Sequence, residues 1–169
     1  MARWLLGAPR AQLGRACEGI ALIRRGAATL LEVGQRMCIT HLTAFLAAAL
    51  ERDGAVVDSL ESIEQALQVN PEELLYRSET LRLRGEILLK LADSQLAEAD
   101  FRDSIAMARG MSAKAWELRT TMSLARLLDS QGRRDEARTI LAAIYNWFTE
   151  GFDTADLKDA KSLLDRFDS

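Results

Sequence analysis

The sequence has few of the residues on which most enzyme and metal sites depend. It contains two cysteines, one histidine and two prolines among 169 residues, and only 6% of its residues are aromatic. Cys38 and His41 are spaced as two metal ligands on a helix could be, but a structural zinc site needs four ligands and no further histidine exists. A cysteine nucleophile beside His41 would lack an orienting partner. We therefore predict no catalytic residue, no metal and no cofactor.

Other absences limit where the chain acts. No apolar run of 18 or more uncharged residues exists, so no membrane span is predicted, and the start MARWLLGAPR lacks the length of a secretory signal. A disulfide between Cys17 and Cys38 is possible, but two free thiols in a reducing compartment are favoured. Basic and acidic residues are balanced at 22 and 25 and are interspersed, which is unlike a nucleic-acid-binding surface. A soluble cytoplasmic protein is predicted, with no nucleic acid or membrane partner.

The residues that are abundant favour helices. Hydrophobic residues make up 49% of the chain, and leucine and alanine, together with arginine and glutamate, are good helix formers. No segment alternates β-branched residues as a strand would. We therefore predict an all-α fold with one sizeable core.

A repeated helix–turn–helix pattern divides the chain. The small residue near the start of each second helix recurs at Gly19, Ser59, Ala97 and Ala137, in steps of 40, 38 and 40 residues. These steps exceed the standard tetratricopeptide unit of about 34 residues by about one helical turn or more. We predict an α-solenoid of TPR-like hairpins, a right-handed superhelix, forming a single domain over residues 1–169. It consists of an incomplete repeat at 1–34, repeats at 36–70, 71–110 and 112–150, and a capping helix at 153–167.

Small and large apolar residues have complementary structural roles in this pattern. Small residues let helix backbones approach closely, and large ones fill the space between successive hairpins. The glycines at 54 and 132 follow helix ends and suit a left-handed cap. The packing residues are Ala47, Gly85, Ala97, Ala125 and Ala137 among the small ones, and Leu50, Leu88, Phe101 and Leu141 among the large ones.

The C-terminal segment resembles a bacterial protein family. The matching residues are Trp116–Arg119, Gly132-Arg133, Glu136-Ala137 and the run from Tyr145 to Thr154, with Glu18–Ile23 and Leu81–Glu86 upstream. These residues are similar to the tetratricopeptide-like tail of large proteins that join a class III adenylate or guanylate cyclase domain to a nucleotide-binding ATPase. The resemblance implies a detached tail, either a fragment or a stand-alone module, without the parent's catalytic domains. At two positions, Ser59 and Ser104, the chain has a serine where the family more often has a small apolar residue.

The predicted function is non-catalytic. It is protein–protein interaction or intramolecular regulation, with the upstream ATPase and cyclase domains or another protein as partner. The alternative is a small-molecule sensor that uses the concave groove. Because first helices line that groove in solenoids, Arg77, Arg82, Arg84 and Glu86 are the candidate contact residues. Arg24-Arg25 and Arg133-Arg134 are further basic candidates.

Both ends of the chain allow two interpretations. The aromatic residues Trp116, Tyr145, Trp147, Phe148 and Phe152 are predicted to form a capping core, with a ligand or partner cleft as the alternative. A last helix with one apolar face would then close the stack. At the other end, Ile20, Leu22, Ile23 and Leu30 lack a full partner helix. They are predicted to leave apolar surface exposed, and this surface is predicted to favour self-association or docking to another protein.

Overall fold

The computed structural model describes residues 16–34, 39–69, 74 and 76–168. Within these ranges every regular element is an α-helix and none is a strand, so the all-α prediction is confirmed. None of the described helices is long and apolar enough to cross a membrane. The helices are α1 (Ala16–Glu32), α2 (Ile39–Arg52), α3 (Val56–Val69), α4 (Arg77–Lys90), α5 (Ser94–Gly110), α6 (Lys114–Ser130), α7 (Arg134–Tyr145) and α8 (Ala155–Phe167).

Four of the turns between helices end in the same left-handed conformation. The residue with positive φ is Gly54 (84°), Ala92 (63°), Ser112 (56°) or Gly132 (79°). At the last turn the Arg133 amide donates to the Leu128 carbonyl at 2.8 Å, the bond that defines a Schellman motif. The predicted glycine caps are therefore confirmed. Ala92 and Ser112 adopt the same conformation without the freedom of a glycine.

The cap at Gly132 gives a stability prediction. Gly132→Ala should lower the free energy of unfolding by about 1 kcal/mol, because a Cβ disfavours positive φ. No atom lies within 4 Å of the place where the Cβ would sit, so the cost is conformational and not steric. Urea denaturation measures the difference, with Gly110→Ala as control because Gly110 ends α5 without a positive φ. An equal loss in both variants would contradict the assignment.

The first compact unit spans residues 1–93. In its described part, α2 packs against α1, α3 and α4. A buried cluster joins α1 to α2 and contains Ile20, Ile23, Leu46, Ala49 and Leu50. The prediction that Ile20 and Ile23 lie in an exposed surface is therefore wrong, because α2 covers them. The exposed aliphatic residues near the end of α1 are Leu31 and Val33.

The second compact unit spans residues 94–169. Here α6 packs against α5, α7 and α8. The last helix buries one apolar face, as predicted, through Leu157, Ala160, Leu163 and Phe167. Thr154 occupies the N-cap position of α8, but its hydroxyl donates to the Gly151 carbonyl at 2.7 Å and makes no side-chain cap bond.

Equivalent positions in the two units lie 78 residues apart. Gly54 and Gly132 are such a pair, and Ser59 and Ala137 are both fully buried at the predicted close contacts. The Ser59 hydroxyl donates to the Ala47 carbonyl at 2.8 Å, which explains why a polar residue is tolerated there. Ser104, the other departure, shares a 2.9 Å hydrogen bond with Thr120. The exact repeat boundaries stay a prediction.

Candidate functional site

The four predicted contact residues lie together on α4 and are half-buried. The Arg82 guanidinium donates to Glu79 at 2.6 and 2.9 Å and to Glu86 at 2.5 Å. Burial alone would lower the pKa of Arg82, but these two carboxylates outweigh it and raise that pKa above its ordinary value. Arg77 donates to the Leu67 carbonyl at 3.1 Å. Arg82, Glu86 and Arg77 thus stabilise unit 1, and contact of these residues and Arg84 with a partner stays a prediction.

The predicted basic residue Arg133 belongs to an ion-pair cluster in unit 2. Arg133 donates to Glu98 and Glu136 at 2.8 Å, and Arg102 donates to the same two carboxylates at 2.7 and 2.9 Å. Burial opposes ionisation of Glu98, but the two arginines lower its pKa. Hydrogen bonds from Arg102 and Arg133 likewise lower the pKa of Glu136. The cluster joins α5 to the start of α7.

The C-terminal aromatic residues form a surface. Trp147 is 58% exposed and Phe152 is 46% exposed, so the prediction that they belong to a capping core is wrong. The helix α7 ends at Tyr145, and Trp147 and Phe152 lie in the nine-residue connection between α7 and α8. We call the set Tyr145, Trp147, Phe148 and Phe152 the aromatic surface.

Ring contacts join the residues of the aromatic surface in two pairs. The Trp147 and Phe148 rings meet edge to face, with centroids 5.2 Å apart and an interplanar angle of 87°. The Tyr145 and Phe152 centroids are 5.8 Å apart. Such geometries are favourable beyond the area they bury. The rings therefore support one another while Trp147 and Phe152 remain open to solvent.

A lysine that lies close to the aromatic surface also pairs with a buried carboxylate. Glu117, in the first turn of α6, is only 3% exposed and accepts hydrogen bonds from Arg109 and Lys114, each at 2.7 Å. The Lys114 ammonium also lies 5.5 Å from the centroid of the Trp147 ring, within cation–π range. Burial opposes ionisation of Glu117, but the two cations lower its pKa. This network was not identified from the sequence. A glutamate three residues after a lysine in the first turn of a helix could have indicated the Lys114–Glu117 pair.

A groove of 220 Å³ lies between α6 and α8, two helices at first-helix positions of the repeat pattern. Its lining residues are Arg126, Asp159, Ser162, Leu163 and Arg166. Arg126 and Arg166 are exposed and give this groove basic edges. Small-molecule binding in a first-helix groove stays a prediction.

The remaining chemistry-bearing residues pack structurally. His41 is half-buried, with its ring centroid 4.6 Å from that of Phe45 and 4.3 Å from that of Tyr76. Among the described residues, no group of three His, Cys, Asp or Glu side chains could hold a metal ion. Cys38 and the side chain of Cys17 lie outside the described residues.

Comparison with known proteins gives matches to solved structures. No family model and no curated protein sequence matches the chain. The nearly identical TPR-like repeats ascribed to a kinesin light chain of Podosopora anserina superpose with a TM-score of 0.77 at 17% identity, covering 98% of this chain and 82% of that one. BtubC (BKLC) from P. vanneervenii superposes with a TM-score of 0.76 at 19% identity, covering 96% and 76%.

A third similar structure is a much longer protein. It is the Signal Transduction ATPase with Numerous Domains (STAND) protein with a tetratricopeptide repeat sensor from Pyrococcus horikoshii, with a TM-score of 0.79 at 13% identity. The match covers 96% of this chain but only 26% of that one. Identities this low establish the fold alone. The chain has a TPR-like helical-repeat fold.

Proposed function

We propose that this chain is a non-catalytic helical-repeat module that binds a protein partner through the aromatic surface of unit 2. The observation that carries the proposal is the exposure of two large aromatic side chains, Trp147 and Phe152, within five positions of each other in unit 2. A partner that covered these rings would recover the free energy of burying them. Tryptophan is also among the residues most enriched at interface hot spots.

The proposed partner is an ATPase or nucleotide cyclase domain of a bacterial signalling protein, encountered in the cytoplasm. The support is the sequence resemblance, because its most specific run, Tyr145 to Thr154, contains the whole aromatic surface. The STAND protein, in which an ATPase occurs together with a tetratricopeptide repeat sensor, supports the same pairing. Regulation would then act by docking of the module on the catalytic domain, without chemistry of its own.

Photo-crosslinking tests this proposal directly. A benzoylphenylalanine at position 147 of the full chain, expressed in the native cell, should capture the partner, which mass spectrometry identifies. With that partner purified, Trp147→Ala should weaken binding at least tenfold, or about 1.4 kcal/mol, as measured by calorimetry. Because Trp147 is exposed, the variant should melt as the wild type does.

Leu96→Ala is the matched control. Leu96 is a large exposed apolar residue of the same unit but lies on α5, outside the aromatic surface. Its truncation should leave the affinity unchanged. The proposal fails if position 147 captures no protein, or if Trp147→Ala binds the captured partner within twofold of wild type.

A further inference from the structure

Unit 1 contains a groove that lies away from the α4 residues predicted to bind a partner. It has a volume of 460 Å³, with α1 and α3 as its walls and α2 as its floor. The residues that line it are Arg24, Ala27, Ala28, Leu31, Ile39, Thr43, Leu46, Asp58, Glu61, Ser62, Gln65 and Ala66. We call it the α1–α3 groove.

Unit 2 contains an equivalent groove, with which the volume and lining of the α1–α3 groove can be compared. It has a volume of 200 Å³ and lies among α5, α6 and α7. All seven of its lining residues follow a lining residue of the α1–α3 groove by 78 positions, as Thr121 follows Thr43 and Leu124 follows Leu46. The two grooves therefore occupy the same place in the repeat, and their differences arise from side chains.

Side-chain size explains why the α1–α3 groove is the larger. Where it has Ala27 and Ser62, the unit 2 groove has Ile105 and Ile140. These two isoleucines occupy space that the alanine and the serine leave open. The α1–α3 groove is thus unfilled at positions that the same fold can fill with its own side chains.

An ion pair also distinguishes the two grooves. In unit 2, Arg102 reaches Glu136 across the groove at 2.9 Å and ties α5 to α7. Arg24 and Asp58 stand at the equivalent positions in unit 1 and line the α1–α3 groove, and among the described residues no ion pair joins these two side chains. The charged side chains that line the α1–α3 groove are therefore one cation, Arg24 on α1, and two carboxylates, Asp58 and Glu61 on α3.

The chemistry of the lining defines the occupant. Ile39, Leu46 and Ala66 form a buried apolar floor. The hydroxyls of Thr43 and Ser62 already donate to backbone carbonyls, at 2.7 and 2.8 Å, so they add little polar recognition. The α3 wall carries only negative charge, since the charged residues that it contributes to the groove are Asp58 and Glu61. An occupant with apolar side chains next to a cation matches both the floor and this wall.

We propose that the α1–α3 groove binds a segment of a partner protein in which an apolar side chain lies beside lysine or arginine. The apolar side chain fills the space that Ile105 and Ile140 fill in unit 2. The basic side chain pairs with Asp58 and Glu61. The groove and the aromatic surface share no residues, so an experiment that disproves one of the two proposals leaves the other untouched.

A peptide selection tests the proposal. Random 12-residue peptides displayed on phage are selected on the full chain and counter-selected on the double variant Ala27→Ile/Ser62→Ile, which copies the filled groove of unit 2. The enriched peptides should place leucine, isoleucine or phenylalanine beside lysine or arginine. Their affinity, measured by fluorescence anisotropy, should fall at least tenfold in Asp58→Asn/Glu61→Gln and should weaken with salt.

Two further variants make the result specific. Glu64→Gln removes the same charge from the exposed face of α3 outside the groove and should leave binding unchanged, as should Trp147→Ala. The variant Asp58→Asn/Glu61→Gln changes only exposed side chains and should fold. It therefore tests the proposal even if Ala27→Ile/Ser62→Ile does not fold. Three results would overturn the proposal. The first is that no selected peptide binds the wild type more tightly than Ala27→Ile/Ser62→Ile, and the second is that the peptides that do so lack a basic residue. The third is that these peptides bind Asp58→Asn/Glu61→Gln with an affinity within twofold of that for the wild type.

Discussion

Phe101→Ala should lower the free energy of unfolding by about 3–5 kcal/mol, the usual cost of truncating a core phenylalanine. Phe101 lies on α5, is 0% exposed, and is the bulkiest fully buried side chain among the described residues. Removing the ring loses the free energy that its burial contributes. It also leaves a cavity that the neighbouring helices fill only in part. A loss of this size is a large fraction of the stability of an ordinary domain.

Chemical denaturation followed by circular dichroism measures this effect. Phe152→Ala is the control, because it removes the same ring from a position that is 46% exposed and should cost far less. A loss below about 1 kcal/mol for Phe101→Ala, or equal losses for the two variants, would show that Phe101 does not have the core role assigned to it.

Glu117→Gln should destabilise unit 2 at neutral pH, and the loss should become smaller as the pH falls below the unfolded-state pKa of glutamate. The pKa of Glu117 is lowered from 4.5 in the folded chain by Arg109 and Lys114. Its contribution is therefore fully present above the unfolded-state pKa of about 4.3 and is lost as the pH falls through the lower folded-state value. At neutral pH we expect a loss of about 1–2 kcal/mol. This is less than for a fully buried pair, because Arg109 is exposed and water can solvate it.

Urea midpoints of wild type and Glu117→Gln at pH 7, 5 and 3 check this prediction, since glutamine resembles the protonated acid. The difference between the two proteins should shrink as the acid is protonated. Asp103→Asn, which neutralises an exposed acid on α5, should show little difference at any pH. A difference for Glu117→Gln that stays the same from pH 7 to pH 3 would mean that shape, and not charge, makes Glu117 important.

The repeat architecture was predictable because it depends on spacing. Small residues at 47, 97, 125 and 137 recur where helices must approach closely, and all four are fully buried in the structure. Glycines 54 and 132 identify two turns directly, since few other residues favour positive φ. The turns at Ala92 and Ser112 carry no such signal, although their backbone conformation is the same.

The candidate sites were less predictable. An arginine on a first helix gives no indication of whether it meets solvent or a neighbouring acid, and Arg82 is held by Glu79 and Glu86. A cluster of aromatic residues near the end of a repeat stack is compatible with a core or with a surface. The structure decides between them, because Trp147 and Phe152 lie beyond the end of α7 at Tyr145 and are exposed.

The order of residues along the chain was enough to establish an all-helical repeat with close-packed alanines, glycine caps and a closing helix, because these features arise from periodicity and local conformation. Which charges are paired, which aromatic rings remain exposed and which groove is left unfilled depended on the tertiary structure. Several of these features depend on residues that are distant in sequence and meet only when helices pack, as Arg102 and Glu136 do across 34 positions. Local periodicity carries no information about such encounters. The α1–α3 groove was therefore identified from packing alone, and the exposure of the aromatic surface also became known only from the structure.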